Sequence, residues 1–129
     1  MGAAFEAVRC GVPAIALSAA GDDYLPGAEP YLLSILQELL EEGFQPGTVW
    51  NVNFPAVKTK SPKAILRNRK PALVSLYRET YIEEVQRDGT RVLSCKGVLT
   101  PVEALPEDTD GWAVKNGCIS IGRVNALVL

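Results

Sequence analysis

The sequence predicts an α/β fold: a βαβ unit with parallel strands, followed by a β-rich stretch that carries a β-hairpin arm. Three features point to it. Residues 13–18 are apolar without alternation, as expected of a strand covered on both faces by helices. Leucines recur at three- and four-residue spacing after Pro30, the pattern of an amphipathic helix. Asp88-Gly89 stands between two strand-like runs and reads as a tight hairpin turn, because both central residues favour positive φ. With 129 residues the chain has the size of a single domain, 1–129. Its α/β part spans 1–57 and its β-rich part 58–129.

The elements follow in order. Residues 2–10 are good helix formers; Gly11 is placed to end that helix and Val12-Pro13 to keep it from continuing. The strand at 13–18 leads into a turn-rich loop at 19–28. The helix at 30–42 begins on Pro30, whose missing N–H would have no partner at a first helical position. Leu32, Leu33, Leu36, Leu39 and Leu40 form its predicted inner stripe. Gly43 fits the cap, with Phe44 folding back on Leu39. Glu41 and Glu42 sit at the unfavourable, negative end of the helix dipole. Residues 48–54 have strong strand propensity and are closed by Pro55. Helix, strand, helix, strand is the order of an α/β domain entered midway. Two parallel strands do not make a stable sheet, so a further strand is expected before Met1 or from a partner chain.

The second half has strand-like runs at 72–76, 79–86 and 90–95. A two-residue turn at Asp88-Gly89 sets Val85 opposite Val92 and Ile82 opposite Cys95. Glu83, Glu84, Gln86 and Arg91 dilute both faces of this hairpin, which therefore reads as a projecting arm from Glu79 to Cys95. A loop at 101–108, one helical turn at 109–114 and a strand at 118–121 precede an apolar end at 126–129.

Composition narrows the chemistry. The chain has no histidine, which excludes Ser-His-Asp and Cys-His machinery and imidazole metal ligands. A net charge of -2 offers no long-range attraction for phosphate backbones or anionic lipid, which argues against a nucleic-acid or membrane-surface role. No apolar run approaches the ~20 residues of a membrane span. Cys10, Cys95 and Cys118 form no CxxC and suit a reducing, cytoplasmic setting, with Cys10 and Cys118 expected in the core.

Candidate site residues each have a plainer reading beside the chemical one. Asp22-Asp23 lies on a loop after a strand, where α/β sites gather, yet adjacent side chains diverge and no third ligand is evident. Glu107, Asp108 and Asp110 form a second acidic group; Asp108 or Thr109 reads as a helix cap and the acids as partners of the helix dipole. Asn51 and Asn53 share one side of their strand, and loop anchoring is favoured over ligand contact. Arg67, Arg69 and Lys70, with Lys58, Lys60 and Lys63 upstream, could meet a phosphate but have no interleaved aromatic residue to stack on a base.

Three stretches together resemble the SurE family, the survival-protein nucleotidases. They are Gly2-Ala-Ala-Phe-Glu-Ala with Gly11-Val-Pro-Ala-Ile-Ala-Leu-Ser18; Pro46-Gly-Thr-Val-Trp-Asn-Val-Asn-Phe-Pro55; and Thr109-Asp110, Ala113-Val114 and Gly117-Cys-Ile-Ser120. The resemblance implies the C-terminal part of a Rossmann-like SurE fold. It also implies a metal-dependent phosphatase (Mg or Mn) acting on nucleoside 5′- or 3′-monophosphates. The family holds its ion with an Asn-Asp-Asp-Gly motif, a serine and an asparagine. No position here matches them, and Asp22-Asp23 lacks the Asn before and the Gly after. No catalytic, cofactor-binding or metal-binding residue is therefore assigned, no metal is expected on this chain alone, and the isolated chain is expected to be inactive. The hairpin resembles the family's protruding arm, which implies a homo-oligomer. The family's Thr-Pro-Leu after the strand at 118–121 stands here as Gly122-Arg123-Val124. Two alternatives remain: a non-catalytic, truncated or degenerate relative serving assembly, or an unrelated α/β binding domain that uses the basic cluster.

Overall fold

The computed structural model describes residues 1–20, 28–56, 61–75 and 77–127. Its main sheet comprises β1 (Ile15–Ala19), β2 (Thr48–Phe54), β3 (Ile65–Leu66) and a last strand, β6 (Ile119–Asn125), in the order β1-β2-β6-β3. Strand β1 runs parallel to β2, with Ile15 opposite Trp50 and Ser18 opposite Asn53. Strand β6 is antiparallel to β2, so the sheet is mixed. The second sheet is a hairpin of β4 (Tyr77–Val85) and β5 (Arg91–Leu99). Helices α1 (Gly2–Arg9), α2 (Leu32–Glu42) and α3 (Asp110–Lys115) complete the architecture, with a 3-10 turn at Val102–Ala104.

Helix α2 bridges the parallel pair as a βαβ unit, as the sequence predicts, but it buries a different stripe. Ile35 and Leu39 are fully buried against Trp50, Val52, Phe54, Ile119 and Ile121, whereas Leu33 (79% exposed) and Leu40 (62%) face outward. The helix carries two leucine stripes, and Ile35 selects the one that faces the sheet. Each such burial stabilises by about 1.5–3 kcal/mol. Pro30 lies in the turn before the helix rather than at its first residue; Leu32 N–H bonds back to Ala28 O at 2.9 Å. Gly43 has φ +87°, and Phe44 packs on the core beside Leu39 as expected. Glu42 is offset by an ion pair to Arg123 (2.9 Å), whose guanidinium also stacks 3.9 Å above the Trp50 ring.

Strand β1 departs from its prediction. Its residues are half-buried to exposed, with Leu17 44% exposed, and among the described residues it pairs only with β2. Residues 72–75 form no strand. Strand β6 runs on through Gly122-Arg123-Val124, because Gly122 lets another segment lie directly on it. A Cβ there would stand 1.9 Å from the Arg69 carbonyl oxygen, and Arg69 N–H bonds to Ile121 O at 3.0 Å.

The hairpin register differs by one residue from that predicted: Val85 faces Arg91 and Ile82 faces Ser94. Gln86 N–H bonds to Thr90 O (2.8 Å) and Gly89 N–H to Gln86 O (3.0 Å), so the loop has three residues, 87–89. Gly89 takes the left-handed position at φ +84° and Asp88 accepts from Thr90 N–H, the second commonest hairpin connection. Cys10 and Cys95 are exposed, and Cys118 is buried. Cys10 misses the core because α1, covered on no side by a full layer, has no buried residue.

Candidate functional site

Side chains alternate along β2, which gives its two faces different roles. Trp50, Val52 and Phe54 meet α2, while Asn51 and Asn53 face the opposite side with α1 and α3. Register places Ala16, Asn51 and Gly122 in one row and Ser18, Asn53 and Ser120 in the next. On that face, towards the C-terminal ends of β1 and β2, lies a cleft of about 390 Å³. The N-terminal half of α1 contributes Met1 and Phe5, the strands contribute Leu17, Ser18, Asn51 and Asn53, and Pro71 and Asp110 close it.

Asp110 is the hub of this wall. Its Oδ1 accepts from the backbone N–H of Ala72 (2.8 Å) and Gly111 (2.7 Å), and its Oδ2 accepts from Asn51 Nδ2 (3.0 Å). Thr109 caps α3, its Oγ1 accepting from Trp112 N–H at 3.3 Å. Asn51 is thus a loop anchor, as expected. Asn53 is not: its Nδ2 is buried without a hydrogen-bond partner, as is the Oγ of Ser120 directly opposite. Buried polar groups are normally satisfied, so these two stand out.

Three members of the basic cluster, Arg67, Arg69 and Lys70, have structural partners, and Lys63 is exposed. Arg67 makes a bidentate pair with Glu38 (2.7 and 2.6 Å), which holds the Glu38 carboxyl below its ordinary range. Arg69 donates to the carbonyls of Arg67 (3.0 Å) and Glu107 (3.1 Å). Lys70 pairs with Asp108 at 2.7 Å and lowers its pKa. Asp22, Asp23, Lys58 and Lys60 lie outside the described residues. Among the described residues no three Cys, Asp or Glu side chains converge as a cation site. The acid nearest the cleft, Asp110, already accepts from three N–H groups, so the cleft's donor set does not fit a divalent ion. Other recesses lie away from the Asn51–Asn53 face. One of about 250 Å³ lies between 8–13 and 44–48, and one of about 740 Å³ at the foot of the hairpin is mostly apolar. No helix among the described residues is long and apolar enough to cross a membrane.

A mixed sheet with a parallel pair and helices on both faces, with a cleft on the Asn51–Asn53 face, defines an α/β domain. A family model described as Survival protein SurE matches residues 1–75, and the chain belongs to the SurE family. It is 32% identical over 127 residues to 5′-nucleotidase SurE 1 of Thermus thermophilus, covering 95% of this chain and 47% of that protein. It is 33% identical over 124 residues to 5′-nucleotidase SurE of Flavobacterium psychrophilum, covering 94% and 47%. The crystal structure of the SurE protein from Aquifex aeolicus superposes with a TM-score of 0.76 at 26% identity, over 99% of this chain and 51% of that one. The chain spans about half the length of the curated relatives it matches. Sequence reasoning placed Asn51, Asn53 and Asp110 among its candidates but not together. The Asn51–Asp110 contact joins positions 59 residues apart, which no spacing rule announces.

Proposed function

We propose that this chain supplies the C-terminal part of a SurE-type, metal-dependent phosphatase that hydrolyses nucleoside 5′- or 3′-monophosphates. The observation that carries the reading is the family match joined to a cleft on the face of β1 and β2 that carries Ser18, Asn51 and Asn53. In that division of labour the residues that grip the ion belong to the family's other half. This chain provides the sheet, the α1 terminus and the cleft wall, and contributes no catalytic or metal-binding residue. It divides at 57/58 into an α/β part and a β-rich part, acts in the cytoplasm, and turns over no substrate alone.

A second reading has its own support: a non-catalytic module that assembles through its arm. Tyr81, Val85, Leu93 and Leu99 lie on one face of the hairpin and are all exposed, a surface suited to contact with a second copy. The arm fits both readings, since an enzyme of this type is proposed to be a homo-oligomer joined there. Phosphate release separates them. Nucleoside monophosphates are incubated with manganese or magnesium and either this chain alone or this chain mixed with a polypeptide carrying a strand and an Asn-Asp-Asp-Gly loop. Turnover only in the mixture supports the enzyme reading, and none in either supports the module. Turnover by the chain alone, lost in Asp22→Ala, overturns the assignment of the ion to the other half.

A further inference from the structure

We infer that two copies of this chain pair through the outer edge of β1, in an antiparallel strand contact that also brings the exposed leucines of α2 against their counterparts. The inference stands on that edge and that helix, and not on the nucleotidase reading.

Three observations converge. The first is the backbone. Trp50 N–H bonds to Ala14 O and Ala20 N–H to Phe54 O, both at 3.1 Å. Successive residues of a strand turn their N–H and C=O to opposite edges, so Ala14, Ala16, Ser18 and Ala20 face β2 while Ile15, Leu17 and Ala19 face away. Among the described residues no strand meets that outer edge. Edge strands usually discourage pairing with a charge, a proline or a bulge. Residues Ile15–Ala19 carry no charge and no proline, and their register on β2 is unbroken. The second observation is the side chains. Ile15 and Leu17 stand in the rows of Trp50 and Val52, on the α2 face of the sheet. On α2, Glu38 and Glu42 pair with Arg67 and Arg123 and so mark the flank turned to β3 and β6. Leu33, Leu36 and Leu40 occupy the opposite flank, towards β1, and Leu33 and Leu40 are exposed. Edge and stripe thus adjoin as one apolar surface, the kind that marks an interface. The third observation is charge. The polar border of the stripe, Gln37 and Glu41, is bonded to itself at 3.2 Å, and no lysine or arginine lines it. Nothing there repels a copy or calls for a charged partner. A two-fold axis at Leu17 sets Leu17 opposite its own counterpart and Ile15 opposite Ala19, each with an outward N–H and C=O to exchange. The same axis lays the two α2 helices antiparallel on one face, stripe towards stripe, in a closed isologous contact.

The test is sedimentation velocity of the full chain over a range of concentrations, repeated in Leu93→Lys, which removes contact through the arm. A concentration-dependent dimer is expected to persist in that variant. Leu17→Pro deletes an outward N–H and leaves the ladder to β2 intact. It should weaken the dimer at least about tenfold, because the axis repeats the lost hydrogen bond. Leu40→Glu alters an exposed side chain, so it should weaken the dimer with the urea midpoint unchanged. An equimolar mixture of Leu40→Glu and Leu40→Lys chains should recover pairing; if Leu17→Pro fails to fold, these two variants decide. Amide exchange at Leu17 should slow as the dimer forms, while exchange at Ala16, already bonded to β2, stays as it was. A chain that remains monomeric in Leu93→Lys overturns the inference. So does a dimer that Leu40→Glu leaves untouched. Protection of Leu17 that appears only on adding the polypeptide with the Asn-Asp-Asp-Gly loop gives the edge to the family's other half, and overturns it too. Because neither metal nor turnover is read, the two proposals fail separately. A monomeric chain beside an active mixed enzyme sinks this inference alone, and a dimer whose mixture never turns over sinks the nucleotidase reading alone.

Discussion

Strands β2 and β5 are both rich in β-formers, yet their surroundings are opposite. Strand β2 has neighbours on both edges and helices on both faces, and Val49, Trp50, Asn51, Val52 and Phe54 are all buried. Among the described residues strand β5 pairs only with β4, and apart from half-buried Val92 every residue in it is exposed, Leu93 at 67%. The difference separates two ways of using the same propensity. In the sheet, apolar side chains lower the free energy of this chain on its own. In the arm they do little until something covers them, and the ladder holds by backbone bonds, the Gly89 turn and a cross-strand Arg91–Glu83 pair. Buried apolar contact is therefore concentrated in one region and exposed apolar surface in the other.

The comparison is tested most severely at Leu39, fully buried under the sheet. Leu39→Ala is expected to lose about 2–5 kcal/mol, seen as a lower urea midpoint. Asp110→Asn comes next. An amide cannot accept from all three of the N–H donors that now meet the carboxylate, so a loss of about 1–3 kcal/mol is expected, with a displaced Asn51 side-chain amide in the NMR spectrum.

Acid should act more gently. The folded Glu38 carboxyl has its pKa depressed by the Arg67 hydrogen bonds, so its contribution is present above the unfolded value and is lost as pH falls through the lower, folded one. Both partners are more than a third exposed, so solvent screening keeps the contribution under about 1 kcal/mol. Glu38→Gln should flatten the urea midpoint between pH 7 and pH 3 by no more than that. The smallest effect on stability belongs to the arm: Leu93→Lys is expected within about 0.5 kcal/mol of the parent. If the arm joins copies, the variant should sediment as a smaller species; a large loss of stability would erase the contrast between the two regions.

How much of this was legible in the sequence varies by element, for physical reasons. The bounds of β2 were read to the residue, because Gly47 and Pro55 punctuate a continuous β-branched and aromatic run. Strand β3 is two residues long, too short for any period to register. The leucines of α2 offered two faces, and only the sheet decides between them. The hairpin turn was found but its length was not, since Asp-Gly serves a three-residue loop as well as a two-residue one. That single residue changes every cross-strand partner in the arm. The cleft was the least visible: its residues come from α1, β1, β2, the 67–72 segment and α3, and only the folded chain assembles them.

The bare hydrogen at Gly122 reaches further than its own strand. It seats Arg69 on β6, and from there Lys70 exchanges backbone hydrogen bonds with Asp108 and Asp110, whose carboxylate grips Asn51. One methyl group added there would push against the first link of that line and be felt at its far end. A change on β6, one strand away, would thus displace the Asn51 wall of the cleft through a chain of backbone contacts.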